Sequence, residues 1–326
     1  MTRSAARPRP SLPVCSRRPN FLALLVALAA AAFLHVNVDP LTAGSDPEGA
    51  VDLLESAAYP PPPPMPVMAG TQSASAAEHG VSQNADIITG RWALTMQTML
   101  LEKGCASFSK VSDYTATLKK QERIGGTLGD VQILKVKLRH EPFSVYMNWQ
   151  NYDKGRELIY VEGQNDGNML IQPGGWKGRL TGTIALDPTG RMAMSESRHP
   201  VMQIGLVRLA EKLLSYNYLV LKQDGGFACE LHANQKLHGR DCYLFMISYD
   251  SPKYNETYRK SVQYVDKELL LPVMVQNYTW GTDTDPETID EQTLIESYTW
   301  TDIRVDQRLA NGDFDQTNSS YRFRQK

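Results

Sequence analysis

The chain has 326 residues, with 34 lysines and arginines against 36 aspartates and glutamates, a formal net charge of -2 and pI ≈ 6.3. That balance argues against a nucleic-acid binder, which carries a basic stripe and a high pI, and a mean hydropathy of -0.37 excludes a polytopic membrane protein. The four cysteines, Cys15, Cys105, Cys229 and Cys242, are too few to staple a fold of this length, so the core is hydrophobic.

Arg3, Arg7, Arg9, Arg17 and Arg18 precede an apolar run from Phe21 to Val36 whose one ionisable residue is His35. A basic stretch followed by a short apolar one is the export pattern. The run is short for a spanning helix, which needs roughly 20 residues, and residues 1–38 read either as a cleaved signal peptide or as a signal anchor. In both cases the arginines stay on the near side and everything after Val38 lies outside the cytoplasm, after an N-terminal membrane contact. Pro19-Asn20 spoils a twin-arginine signal, and Cys15 precedes the apolar run, so it is not a lipoprotein cysteine. Residues 39–84 turn to Pro, Ala, Ser and Gly, including the tract Pro60 to Pro64, a composition expected of a disordered linker or stalk.

Residues 85–326 read as one β-rich domain. It opens with a helix expected over Ala85 to Lys103, capped by Asn84 or Asp86 and ended by Gly104, with Ile88, Trp92, Met96 and Met99 as its apolar face. The period then changes to two. Tyr114, Ala116 and Leu118 alternate with polar residues, as do Leu134, Val136 and Leu138 after the turn Gly125-Gly126. Phe143, Val145, Met147 and Trp149 follow, then Leu158 to Val161 and, after Asn165-Asp166-Gly167, Met169 to Ile171. One wet and one apolar face per strand predicts an antiparallel meander covered on one side.

A second helix is expected over Val201 to Ser215, with Leu206, Leu209 and Leu213 in one row and Val207, Ala210 and Leu214 in the next. So wide a stripe suits a helix lying across a concave sheet. Strands resume over 227–237, 240–249, 260–265, 272–280 and 293–305, with His238-Gly239 and Asp266-Lys267-Glu268 as turns. Nine or ten antiparallel strands exceed what a flat sheet holds comfortably. The expected fold class is α+β, mostly antiparallel β: one strongly curled, unclosed half-barrel with an N-terminal helix and a second helix on its concave face.

Chemistry is sparse. No nucleophile elbow, zincin, P-loop or dinucleotide signature is present, and Gly174, Gly175, Gly178 and Gly182 read as turn and bulge residues. Cys229, His232, His238 and Cys242 have the composition of a zinc site. With the hairpin turning at His238-Gly239, however, Cys242 falls opposite Gln235, on the face of Cys229 but ~20 Å along the strand, while His232 points the other way. Neither zinc nor a Cys229–Cys242 disulfide fits that register; a Cys105 bridge to either stays open. Asp283, Asp285 and Glu287 lack the glycine of a calcium loop and read as an acidic turn. Arg156 and Glu157 read equally as a site or as a strand-edge charge pair, and His140 and His199 have no partner that spacing identifies. No cofactor, metal or catalytic residue is assigned.

The stretch Tyr114 to Arg123 with Gly126, Pro142-Phe143-Ser144-Val145-Tyr146, Lys154 to Glu157, Tyr264 to Val273, and the ending Asp313-Phe314-Asp315, Asn318 and Tyr321-Arg322-Phe323 resemble an uncharacterised family of exported bacterial proteins, a domain of unknown function. More distantly, the order helix, strands, helix, strands with an Asp-Lys-x-x-x-x-Pro strand pair is similar to the periplasmic lipoprotein-carrier (LolA/LolB-like) superfamily. That resemblance implies a β half-barrel lidded by helices, with an apolar cavity for acyl chains. One-sided strand amphipathicity and a broadly apolar helix could enclose a cavity, and with that resemblance they lead to the expectation of a non-enzymatic, extracytoplasmic binder of a lipid or lipid-modified partner. Its candidate cavity residues are Leu134, Val136, Leu138, Val145, Met147, Trp149, Leu206, Leu209 and Leu213, with dry core as the other reading of each. The alternatives are a tethered envelope module binding another protein through an exposed patch including Tyr298 and Trp300, and a hydrolase with an unrecognised site.

Overall fold

The computed structural model describes residues 87–176, 178–282 and 285–324. The export segment, the linker, the helix cap at Asn84 or Asp86, and Asp283 lie outside them.

Ile87–Thr89 form a short strand (β1) that adds to the edge of the sheet, so the first helix starts later than expected, at Gly90, and runs to Phe108 (α1). Gly104 lies inside this helix rather than ending it. Its missing side chain lets α1 seat flush on the turn at Leu270, whose carbonyl oxygen would stand 2.2 Å from an added Cβ. The helix is also rotated from the expected phase. Ala93, Leu94, Gln97, Thr98, Leu101 and Phe108 are buried, whereas Trp92 is 75% exposed and Met99 63%. Hydropathy alone gives the wrong face because Gln97 and Thr98 point inward to buried polar partners.

The first group of strands is β2 (Asp113–Ile124), β3 (Thr127–Leu128), β4 (Gln132–Arg139), β5 (Ser144–Trp149), β6 (Glu157–Val161), β7 (Met169–Gln172) and β8 (Ile184–Leu186). Short helices α2 (Gly178–Thr181) and α3 (Arg191–Met194) flank β8, and a 3-10 turn over Val201–Gln203 leads into α4 (Leu206–Leu221). Thus α4 begins and ends about one and a half turns later than the sequence periodicity predicts. The remaining strands are β9 (Phe227–Leu237), β10 (Arg240–Tyr249), β11 (Lys260–Asp266), β12 (Pro272–Tyr278) and β13 (Leu294–Val305), with a short helix α5 (Ile289–Thr293) before the last.

All thirteen strands join one sheet in the order β1-β9-β10-β11-β12-β13-β2-β4-β5-β6-β7-β8, with β3 on β2 and every pairing antiparallel. The sheet is unclosed, with β1 and β8 at its two edges. One continuous hydrophobic cluster joins its concave face to α1 and α4. This is the expected α+β class with a larger sheet, because the three short strands carry too few residues to show a period.

The convex face is not uniformly wet. After β13 the chain crosses back over β4 to β7, and Phe314 with Leu309, Tyr321 and Phe323 covers Tyr146, Ile159 and Val161. Strands β5 to β7 are therefore buried almost throughout on both faces. A smaller convex cluster unites Leu244, Val262 and Tyr278.

Candidate functional site

On β2, β4 and β5 the concave rows are in strict register: Tyr114 with Leu138 and Val145, Ala116 with Val136 and Met147, Leu118 with Leu134 and Trp149. Leu134, Val136, Leu138, Val145, Met147 and Trp149 are all buried in the main cluster, as are Leu206 and Leu213 of α4, with Leu209 half-buried against it. Six of the nine residues picked from periodicity therefore lie on one face of the sheet and the other three on α4 against it, all in or against one buried cluster. Leu206 is fixed at its end by the Tyr114 hydroxyl, which accepts the Leu206 backbone N–H at 2.9 Å. Gly205, at φ 119°, makes the approach possible, since a Cβ there would stand 2.8 Å from Leu138.

The same rows change character within one more step. Beyond Leu118 come Lys120 and Glu122, and beyond Leu134 comes Gln132, which accepts the Trp149 indole N–H at 2.9 Å. These polar groups open on a cleft of about 280 Å³, lined also by Ile124, Thr127, Gly129, Asp130, Ser195 and Glu196. Lys120 Nζ lies 3.2 Å from Glu122, and the Tyr298 hydroxyl donates to Glu122 at 2.6 Å. Parity alone carries these residues onto the apolar face, a signal the sequence contained and the apolar residue list omits.

Ser195 and Glu196, from the segment 191–204, form the outer wall of this cleft. Val201, Ala193, Met202 and Ile204 pack on the main cluster, but the segment is tied to the sheet by charge. Glu196 pairs with Arg156 at 2.7 Å, and Arg156 lies 4.9 Å over the Trp149 ring. Arg198 and His199 both reach Glu296 of β13 at 2.9 Å. Glu296 also accepts from Asn277 at 2.7 Å and from the Tyr258 hydroxyl at 2.9 Å, at 2% exposure. Burial pushes its pKa up, but the hydrogen bond and charge of His199, with Asn277 and Arg198, outweigh it and hold the carboxyl at about 2. Next to it, burial and then the Glu296 charge drive the Tyr258 and Tyr298 phenols well above the usual range.

Glu296 ends a buried hydrogen-bond chain that starts between the helices. Asn217 of α4 donates to Gln97 and Thr98 of α1, and Gln97 donates to Gln263 at 2.7 Å. Gln263 donates to Ser261 at 2.9 Å, Ser261 to Asn277 at 2.6 Å, and Asn277 to Glu296. Gln97, Gln263, Ser261 and Asn277 each accept from the group before and donate to the next, so the polar row costs little to bury.

Other expected sites resolve differently. Cys242 does pair with Gln235, but a bulge between Cys242 and Leu244 shifts the register. Cys229 belongs to the concave cluster and Cys242 does not, so the two lie on opposite faces, a change of face that periodicity cannot see. Cys105, Cys229 and Cys242 are free thiols, and burial pushes Cys229 up to about 12 and Cys242 up to about 11. Arg156 and Glu157 are not a pair. Glu157 is buried and accepts from Tyr146 and Asn148 at 3.1 Å and from the Arg322 backbone at 2.6 Å. Tyr298 and Trp300 lie on the concave side, Trp300 at 3% exposure, and form no exposed convex patch. Asp285 caps a turn through the Glu287 N–H at 2.9 Å.

An unclosed antiparallel sheet with helices on an apolar concave face, and a charged mouth at one end of it, is the class of fold at hand. The chain belongs to the family described as a protein of unknown function (DUF1571), which matches residues 111–323. No curated protein matches it. It is similar in structure to a DUF1329 family protein from Desulfovibrio piger (13% identity, 71% of this chain and 99% of that one, TM-score 0.35). It is also similar to an outer membrane lipoprotein-sorting protein domain from Vibrio parahaemolyticus (11%, 68% and 97%, TM-score 0.32). A third is the Mycobacterium tuberculosis lipoprotein LppX (11%, 68% and 99%, TM-score 0.39).

Proposed function

We propose that the domain is a non-enzymatic, extracytoplasmic binding protein for an amphiphile. The polar head would sit in the cleft at Lys120, Glu122 and Gln132, and the apolar part would enter between α4 and strands β2, β4 and β5 by parting the contacts that now bury Leu134, Leu138 and Leu206. The observation that carries this reading is the change within a single strand row, where Leu118 and Leu134 give way directly to Lys120 and Gln132 on the concave face. Such a boundary matches a ligand with one greasy and one wet end. Residues 191–204 border the cleft, and the Arg156–Glu196 pair at its rim is exposed enough to open at little cost, whereas the buried Arg198–Glu296 pair anchors the segment.

The buried acids support binding over catalysis. Glu157 and Glu296 are saturated by donors, as is Asp266, which holds Arg240 and the N–H groups of Glu268 and Leu269. Burial raises the cysteine and tyrosine groups rather than activating them. The basic N-terminal stretch and apolar run support a location outside the cytoplasm.

Native mass measurement and lipid extraction of the purified full chain test the reading. A co-purifying acyl lipid, exchangeable for an added fluorescent fatty acid, is the expected result. Failure to carry lipid, together with failure to take up the fatty acid or a phospholipid, overturns it.

A further inference from the structure

Of the apolar stripe that hydropathy assigns to the buried side of α1, Trp92 and Met99 lie on its outside, while Met96 still touches the main cluster. Ile88, Trp92 and Met99 are 37%, 75% and 63% exposed, Met96 is half-buried between them, and Tyr218 of α4 adds a 44% exposed ring on the neighbouring flank. Glu102 accepts the Tyr218 hydroxyl at 2.5 Å and so ties the two helices together across this face. Helix α1 therefore has two apolar sides: Leu94, Leu101 and Phe108 inward, Trp92 and Met99 outward.

We infer that this outer face of α1 docks on a lipid bilayer. Three features of the chain favour that occupant over another protein surface. The side chains are those of an interfacial helix, with indole, phenol and thioether groups beside basic residues. Along α1 two basic residues, Arg91 (held by the Leu221 and Gln223 carbonyls) and Lys103, stand against one acid, Glu102, a net positive balance that suits anionic headgroups. The 86 residues that precede the described structure end at Ile87, at the foot of this face, and carry the apolar run Phe21–Val36. The composition of residues 37–86 is that expected of a flexible spacer, and a flexible spacer of 50 residues would span about 40 Å. A run held in a bilayer therefore keeps this face at high effective concentration beside the same membrane. The contact is independent of whether the concave face takes a ligand.

Trp92 is its own reporter. The full chain is mixed with vesicles of phosphatidylglycerol and phosphatidylethanolamine whose acyl chains carry bromine near the headgroup, and the Trp92 signal is the difference between wild type and Trp92→Phe. The expected result is quenching of that signal with a blue shift, reduced at least threefold by Met99→Glu and by high salt. Thermal unfolding of both variants stays at the wild-type midpoint, because both positions are exposed. Equal Trp92 emission with brominated and plain vesicles overturns the inference, since it leaves the N-terminal run as the sole anchor. Burial of Trp92 without lipid, together with a doubled mass in light scattering, also overturns it by assigning the face to a second copy.

Discussion

Glu296 gathers Arg198, His199, Asn277 and Tyr258 on two oxygens in a site almost closed to water. Its pKa falls from an ordinary 4.5 to about 2, so the unfolded chain takes up the proton before the native one does as the pH drops. The stability this group supplies is complete above 4.5 and is lost as pH falls through about 2, and the shift corresponds to about 3 kcal/mol. Glu296→Gln removes the charge while Arg198 stays partly buried, and breaking such a pair costs about 3–5 kcal/mol at neutral pH. Urea unfolding from pH 7 to pH 2 is expected to show both effects: a lower plateau at neutral pH, and a shallower decline below pH 5 than in the wild type. A variant with an unchanged plateau would show that the four donors find other partners. The sequence shows His199 and Glu296, 97 positions apart, but not their meeting, because the fold alone brings β13 under the 191–204 segment.

At the scale of the elements, alternation is enough to read β2, β4, β5, β9 and β10 and to put the six strand candidates on one face of the sheet. What is not legible is decided by neighbours distant in sequence. Gln97 and Thr98 turn inward because Gln263 and Asn217 are there to meet them, and this rotates α1 away from its most apolar stripe. The bulge that reverses Cys242 leaves no mark in composition. Gly104 is the sharpest case, because a glycine near a helix end reads as a stop, yet here it is a contact. In an isolated helix, Gly104→Ala would stabilise by about 1 kcal/mol. In this protein the added Cβ meets the backbone of Leu270 at 2.2 Å and Leu271 at 3.1 Å. The variant is therefore expected to destabilise the domain by ~1–3 kcal/mol, the usual cost of overpacking, with the shift read in the thermal or urea midpoint. A neutral or stabilising outcome would mean that α1 is not seated on the β11–β12 turn.

For the molecule as a whole, the two faces of the sheet are closed by different parts of the chain. Helices α1 and α4 cover the concave side, and the segment after β13 straps the convex side of β4 to β7. The strap starts at Asp113, whose carboxylate accepts the N–H groups of Gln307 at 2.7 Å and Leu309 at 3.1 Å. It continues through Lys137, paired with Asp313 at 2.6 Å, and through Tyr321, stacked on Tyr146 with centroids 4.0 Å apart. The sequence shows Asp313 to Phe323 as a distinctive ending without showing what it covers, since an irregular strap has no period. Phe314, 3% exposed beneath Arg139, is its apolar anchor. Truncating a buried phenylalanine costs about 3–5 kcal/mol, and Phe314→Ala is expected to fall in that range. The location of the damage is the stronger test. If the strap closes only one half of the sheet, hydrogen exchange quickens in β4 to β7 and is unchanged in β10 to β12, where Leu244, Val262 and Tyr278 form a separate cover. A uniform increase across all strands would show instead that the strap and the helix side unfold as one unit, leaving no half of the sheet free to loosen around a ligand while the other half holds.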